Sequence, residues 1–281
     1  MRWCTMSSNK IIQSILNSHY PEYAERHKHP LRVIKAIEQQ IRCRTPAQGI
    51  NYYRCFEDGE TQGVYHSCRN RGCTICGEIK RNQWLDTQKE RLLNCAHYHL
   101  VFTIPHEYLS LWLYNRKWFI NTQYKGLLNA MTGAILTLHT WGRSLNLHPH
   151  IHVLLTAGGL RDQQEWVSTE GDFLVPARLL KSLYRGKFQA RIKAFIESDE
   201  IIYPKGENQI TLLQTHRDLF KKEWSVRIQE KYKQGNGVLI YLSRYLGAAP
   251  IKPDQIEWIN HKKEVLFSYW SHREQKQKNN D

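Results

Sequence analysis

Apolar residues at Leu31, Ile34, Ile37 and Ile41 recur at helical spacing, so residues 31–44 are expected to form an amphipathic helix that stops at Thr45-Pro46-Ala47. Residues 51–77 lack such a period; they are short, turn-rich and cysteine-bearing. A second helix is expected over 82–94. Residues 98–104 read as a strand ended by Pro105, and 108–130 as helical. Two strand candidates follow, 134–141 and 150–156, with a turn around Gly142-Arg143-Ser144 between them and Gly158-Gly159 after the second. Residues 176–196 read as a basic helix and 209–213 as a strand. Residues 219–230 start as a helix, with an alternating strand candidate over 224–228. Residues 238–246 read as a helix closed by Gly247 and Pro250, and the polar residues 276–281 as a frayed end.

Charge narrows the partners. Lys and Arg number 40 against 26 Asp and Glu, a formal net charge of +14, which favours a polyanion and above all nucleic acid. Nine Trp and fifteen Tyr supply flat rings for stacking on unpaired bases, besides filling a core. Apolar runs such as Val238-Leu239-Ile240-Tyr241-Leu242 fall far short of the roughly 20 residues that cross a bilayer, so no membrane partner is expected. The start, Met1-Arg2-Trp3-Cys4, has no apolar stretch like a secretory signal. A reducing cytoplasm is therefore expected, where seven cysteines read as metal ligands or buried thiols rather than disulfides.

Cys55, Cys68, Cys73 and Cys76 cluster in the turn-rich segment, and four thiolates suit a structural Zn²⁺ that stabilises a module too small for its own core. Asp58 is a further ligand candidate. Cys4, Cys43 and Cys95 lie outside the cluster and read as packing residues.

In His148-Pro149-His150-Ile151-His152 a strand would put His150 and His152 on one face and Ile151 on the other, with the two imidazoles about 7 Å apart along the strand. Two such imidazoles can hold one metal ion. A hairpin turning near 142–146 would add His139 from the preceding strand, and His148 and His99 are other candidates for that third place. Imidazole softness favours Zn²⁺, Mn²⁺ or similar ions over Mg²⁺. Tyr241 and Tyr245, four apart, share one face of the last helix, where Arg244 could hold a phosphate. A phenol, with a pKa of about 10, is a weak nucleophile unless the phosphorus it attacks is polarised.

Together these segments resemble the HUH superfamily, named for two histidines around a hydrophobic residue, and most closely the two-tyrosine transposases of the insertion sequence 91 family. The resemblance is carried by Cys43-Arg44-Thr45-Pro46-Ala47, by the run from Ser67 to Cys76, and by the run from Tyr98 to Glu107. It continues through His139-Thr140-Trp141-Gly142, Leu147-His148-Pro149-His150-Ile151-His152, the run from Leu183 to Phe188, and Tyr241-Leu242-Ser243-Arg244-Tyr245.

The resemblance implies an α+β fold. A central antiparallel sheet carries the histidine pair, a tyrosine-bearing helix packs near it, and a small zinc-binding module precedes both. The expected division is a helical segment over 1–50, the zinc module over 51–94, the HUH endonuclease domain over 95–250 and a short tail over 251–281. The implied reaction is metal-dependent nicking and joining of single-stranded DNA at element ends by Tyr241 or Tyr245, through a 5′-phosphotyrosine. Mg²⁺ or Mn²⁺ would sit on His150 and His152, with His139 as third ligand by the hairpin argument and by likeness to relaxases, and Zn²⁺ on Cys55, Cys68, Cys73 and Cys76. The protein would be nucleoid-associated when bound to DNA. Relatives often carry a cysteine where this chain has Asp58. They also continue well past the tyrosines, so a compact variant or a truncated copy is expected. A replication initiator or relaxase would use the same chemistry, and a truncated zinc-dependent DNA-binding protein would use none. The sequence has no Gly-rich phosphate loop of the Walker type.

Overall fold

The computed structural model describes residues 10–280, except 71, 129–132, 143–144, 163–164, 173, 244–250, 252, 260–263 and 272–275. The chain divides into two compact units, residues 1–86 with 243–281, and residues 87–242. The units part within two helical stretches, residues 74–91 and 236–243. Among the described residues no helix is long and apolar enough to cross a membrane.

In the first unit α1 (Ile11–Arg26) and α2 (Leu31–Arg42) precede a hairpin of β1 (Ile50–Arg54) and β2 (Thr61–Tyr65). The hairpin turns at Asp58-Gly59, where Gly59 has φ +75°, a conformation that a side chain disfavours. Next comes α3 (Thr74–Arg91), which starts eight residues earlier than the expected 82 because its first turn is built from the cysteine segment itself. The C-terminal residues form a three-stranded antiparallel sheet.

The second unit is built on a four-stranded antiparallel sheet. Its strands are β3 (His97–Thr103), β4 (Ala134–Trp141), β5 (Leu147–Thr156) and β8 (Val226–Tyr232), in the order β4-β5-β3-β8. A small hairpin of β6 (Gly158–Arg161) and β7 (Glu165–Ser168) follows β5. Alternation sorts the sheet into two faces. Tyr98, Leu100 and Phe102 of β3, Ile151 and Val153 of β5, and Val226 of β8 are buried in one core. Four helices supply the other half of that core: α4 (Leu109–Tyr114), α5 (Arg116–Leu128), α6 (Ala177–Ile196) and α7 (Gln209–Lys221). Tyr108, Leu111, Phe119, Tyr184, Phe188 and Ile192 are its large members.

Residues 209–213 were expected to be a strand and instead open α7. Asn208 caps it: its side chain accepts from Thr211 N–H at 3.0 Å, and Thr211 Oγ1 accepts from Asn208 N–H at 3.0 Å. That reciprocal cap starts a helix, and Leu212, His216 and Leu219 follow on its buried face. Residues 219–230, expected to begin helically, break after Lys221 into β8, where Val226 and Ile228 face the core. The sheet of the first unit comprises β9 (Ile256–Ile259), β10 (Glu264–Ser271) and β11 (Lys276–Asn280), in the order β11-β10-β9. Thus the polar end expected to fray is a paired strand: β11 registers with β10 from Ser271↔Lys276 to Phe267↔Asn280.

Two substitutions probe this architecture by denaturant unfolding. Asn208→Ala is expected to cost about 1 kcal/mol through loss of the α7 cap. Ile192→Ala, which empties a fully buried site, is expected to cost about 2–5 kcal/mol.

Candidate metal centres and tyrosine

Four thiols meet in the first unit, and they are Cys43, Cys68, Cys73 and Cys76. This corrects the expected quartet at one position. Cys55 is exposed at the base of the hairpin turn, where its N–H donates to Glu60 O at 2.8 Å, and Asp58 accepts from Glu60 N–H at 2.9 Å in the same turn. Both are apart from the cluster. The physical reason lies in the hairpin. It carries Cys55 outward and returns the chain so that Arg44 N–H donates to His66 O at 3.0 Å, setting Cys43 beside Cys68.

Local structure presents each thiol. Cys43 ends α2, and Gln13 of α1 clasps that end, its amide donating to Ile41 O at 2.7 Å and Cys43 O at 2.8 Å. Arg44 and Arg69, at φ +54° and +51°, bend the chain sharply next to Cys43 and Cys68. Cys76 lies in the first turn of α3, where the helix dipole favours negative charge. Backbone N–H groups of Cys68 and Asn70 point at Cys43 Sγ and Cys68 Sγ, both at 3.4 Å.

The spacing suits zinc. Sulfur separations are 3.5 Å for Cys43–Cys76, 3.7 Å for Cys68–Cys76 and 3.8 Å for Cys43–Cys73. A tetrahedral Zn²⁺ with bonds of about 2.3 Å requires sulfurs about 3.8 Å apart. Disulfides, at about 2.05 Å, do not describe the cluster. Burial pushes the Cys43 thiol up to about 11 and raises Cys68 as well. At Cys76 burial also raises the thiol, but hydrogen bonds from Cys43, the Arg69 backbone, Cys68 and Cys73 bring it below its ordinary value. Such a cluster holds little negative charge unless a cation is present to share it.

The second cluster lies on the sheet face opposite the core of the second unit. His139 of β4 pairs directly with His150 of β5, and Thr137 with His152. The coordinating atoms of His139, His150 and His152 lie within 4.8 Å of one another. At the β4–β5 turn Gly142 N–H donates to Asn146 O at 2.9 Å. Ion-to-nitrogen distances of about 2.0–2.1 Å require only a modest closure of the three rings.

Burial, then the charges of His150 and His99, hold His139 down to about 3. Burial first, with the neighbouring imidazoles, also lowers His152, and burial lowers His150. All three rings are therefore neutral at pH 7, with lone pairs available to a cation. Three imidazoles suit a transition metal better than Mg²⁺.

His99 of β3 is a further imidazole on this face, and its Nε2 lies 2.7 Å from His152 Nδ1. Its own pKa is pushed down to about 4 by burial. The contact occupies Nδ1 of His152 and leaves Nε2 for a metal, which orients that ligand. His99 is outside the coordinating trio. His148 stacks obliquely on His150, ring centroids 5.1 Å apart.

Tyr241 lies on α8 (Asn236–Ser243), with its ring centroid 6.0 Å from both His99 and His152. Gly235, just before α8, packs closely on His97, where a Cβ would come 2.9 Å from Nδ1. The structure thus brings Tyr241 to the histidine cluster. Tyr245 and Arg244 lie outside the described residues.

Residues 133–281 match a protein family described as "Putative transposase", and residues 15–104 match one described as "Transposase zinc-binding domain". The chain is 27% identical over 264 residues to the transposase for insertion sequence element IS801 of Pseudomonas savastanoi pv. phaseolicola, covering 86% of this chain and 62% of that protein. It is also 27% identical over 243 residues to "Putative transposase y4qJ" of Sinorhizobium fredii (strain NBRC 101917 / NGR234), covering 80% of this chain and 60% of that protein. The chain therefore spans about six tenths of the length of these curated relatives. No solved structure matches it.

Metal analysis of the purified chain distinguishes the two cysteine sets. Cys43→Ser is expected to lose the tightly held zinc, whereas Cys55→Ser is expected to keep it. Calorimetric titration with Mn²⁺ tests the histidine face: His99→Phe is expected to weaken binding about 10–100-fold by freeing the His152 ring.

Proposed function

The chain belongs to the insertion sequence 91 family of transposases, with an N-terminal zinc-binding domain, and on that premise we propose that it nicks and rejoins single-stranded DNA through a phosphotyrosine. The observation that carries this reading is the Tyr241 ring, 6.0 Å from His152 on the face where His139, His150 and His152 converge.

His139, His150 and His152 would hold the divalent ion, Mn²⁺ or Mg²⁺. When bound, that ion supplies Lewis-acid polarisation of a phosphate oxygen and neutralises developing charge. The residues do the rest. His99 holds the His152 ring. Packing of α8 on the sheet face keeps the Tyr241 phenol beside the imidazoles.

In the proposed step the Tyr241 oxygen forms a bond to phosphorus and loses its proton to solvent. The bond from phosphorus to the 3′ oxygen breaks, and that oxygen gains a proton as a free 3′-hydroxyl. The strand is left as a 5′-phosphotyrosine ester. Reversal by another 3′-hydroxyl reforms a phosphodiester and releases the phenol, so one bond replaces another and joining needs no nucleotide cofactor. Tyr245, four residues further along the chain, would take a second strand while Tyr241 holds the first, and Arg244 would contact a phosphate. This supports rolling-circle transposition of an insertion sequence, carried out in the cytoplasm on DNA of the nucleoid. The net charge of +14 supports a DNA partner.

Incubation with single-stranded oligonucleotides from the element's ends and Mn²⁺ or Mg²⁺ is the direct test, read as a covalent protein–DNA adduct on a denaturing gel. An adduct is expected from the natural chain. It is expected to vanish in the Tyr241→Phe, Tyr245→Phe double variant and in His150→Ala. An adduct that survives both changes defeats the assignment. Stable binding with no adduct under any condition would favour a binding-only role.

A further inference from the structure

Arg227 is the one arginine that the register of the sheet puts on the histidine face. In β8, Val226 and Ile228 turn to the core, so Arg227 and Gln229 project from the opposite side. Arg227 pairs with Val101 of β3, and Val101 pairs with His152 of β5. A single row therefore crosses the sheet as Arg227, Val101, His152 and Thr137. Arg227 stands two strand spacings from His152, about 10 Å between backbones. Val101 between them is too short to screen one from the other. The next row holds Thr103, His150 and His139.

Arg227 is exposed. The ion pairs found among the described residues of this unit use Glu107, Glu197 and Glu223, and Arg227 enters none of them. This arginine brings a permanent positive charge to the row.

We propose that Arg227 binds a backbone phosphate of the single strand, one that neighbours the phosphate presented to the histidine cluster. The proposal rests on the nicking site described above and adds its substrate contact. A guanidinium presents a planar fork of donors that matches two phosphate oxygens and keeps its charge at every working pH. Placed beside an ion site, it sets the register of the strand, so that one phosphodiester rather than its neighbour meets Tyr241. Such a contact reads backbone and not base, and it contributes to affinity equally for all sequences.

The test uses the full chain and a fluorescein-labelled oligothymidylate, with binding followed by anisotropy over a salt series. Arg227→Ala is expected to weaken binding about tenfold at low salt. It should also lower the slope of log K against log salt by about 0.7, the value for one single-strand phosphate contact. Arg227→Lys should restore the slope, because the charge remains. Thermal melting should be unchanged in both variants, since the side chain lies in solvent. An unaltered slope in Arg227→Ala, or a lowered slope that Arg227→Lys does not recover, overturns the proposal. Covalent adduct formation by the natural chain reads the nicking reaction separately. An adduct with an unaltered slope defeats only the Arg227 contact. A lowered slope with no adduct defeats only the nicking.

Discussion

The register of β5 governs the second unit. A strand side chain points to one face or the other with a period of two, and a slip of one residue exchanges the faces entirely. Ile151 and Val153 are fully buried in the core, so they hold β5 in place through apolar burial. The same alternation forces His150 and His152 to the other face, and pairing with β4 then sets His139 against His150. The convergence of the three imidazoles is therefore a by-product of core packing. The histidines would not need to attract one another; their burial as neutral rings is tolerated because Ile151, Val153 and the helices beneath stabilise the sheet.

That arrangement separates two tasks that would conflict on a single face. The core face is rigid and apolar, filled by α4 to α7. The opposite face holds polar, ligand-competent groups, and α8 lies over part of it with Tyr241 at the imidazoles. A sheet that presents chemistry on one side while the other is closed by helices keeps its reactive groups in place to within a side-chain rotation. Arg227, on the last strand in the order β4-β5-β3-β8, extends that face by one strand.

The cysteine cluster solves a different problem. α1, α2 and the β1–β2 hairpin bury few large side chains, and no residue of α1, α2, β1 or β2 is fully enclosed. Such a segment lacks apolar burial for independent stability. Four thiols at tetrahedral separation replace the missing core, with Cys43 and Cys68 brought together by the return of the hairpin and Cys73 and Cys76 by the start of α3.

Much of this was legible in the residues. The i, i+2 histidines with an apolar residue between them dictate one face and one strand, and the turn signal after Trp141 points to the hairpin that adds His139. Tyr241 and its helix follow from local apolar spacing. Local patterns were weaker where a cap outweighs propensity: residues 209–213 look strand-like, and only the Asn208–Thr211 exchange of hydrogen bonds makes them helical. The cysteine ligands show the remaining limit. Proximity along the chain favoured Cys55, yet the Asp58-Gly59 hairpin sends it outward and closes the distance from Cys43 to Cys68. The sequence by itself determined the faces of strands and helices, because side-chain direction follows from local periodicity. Which thiol completes the quartet, and that Arg227 shares a row with His152, was decided only by tertiary structure, because both depend on the path of chain between residues far apart in sequence.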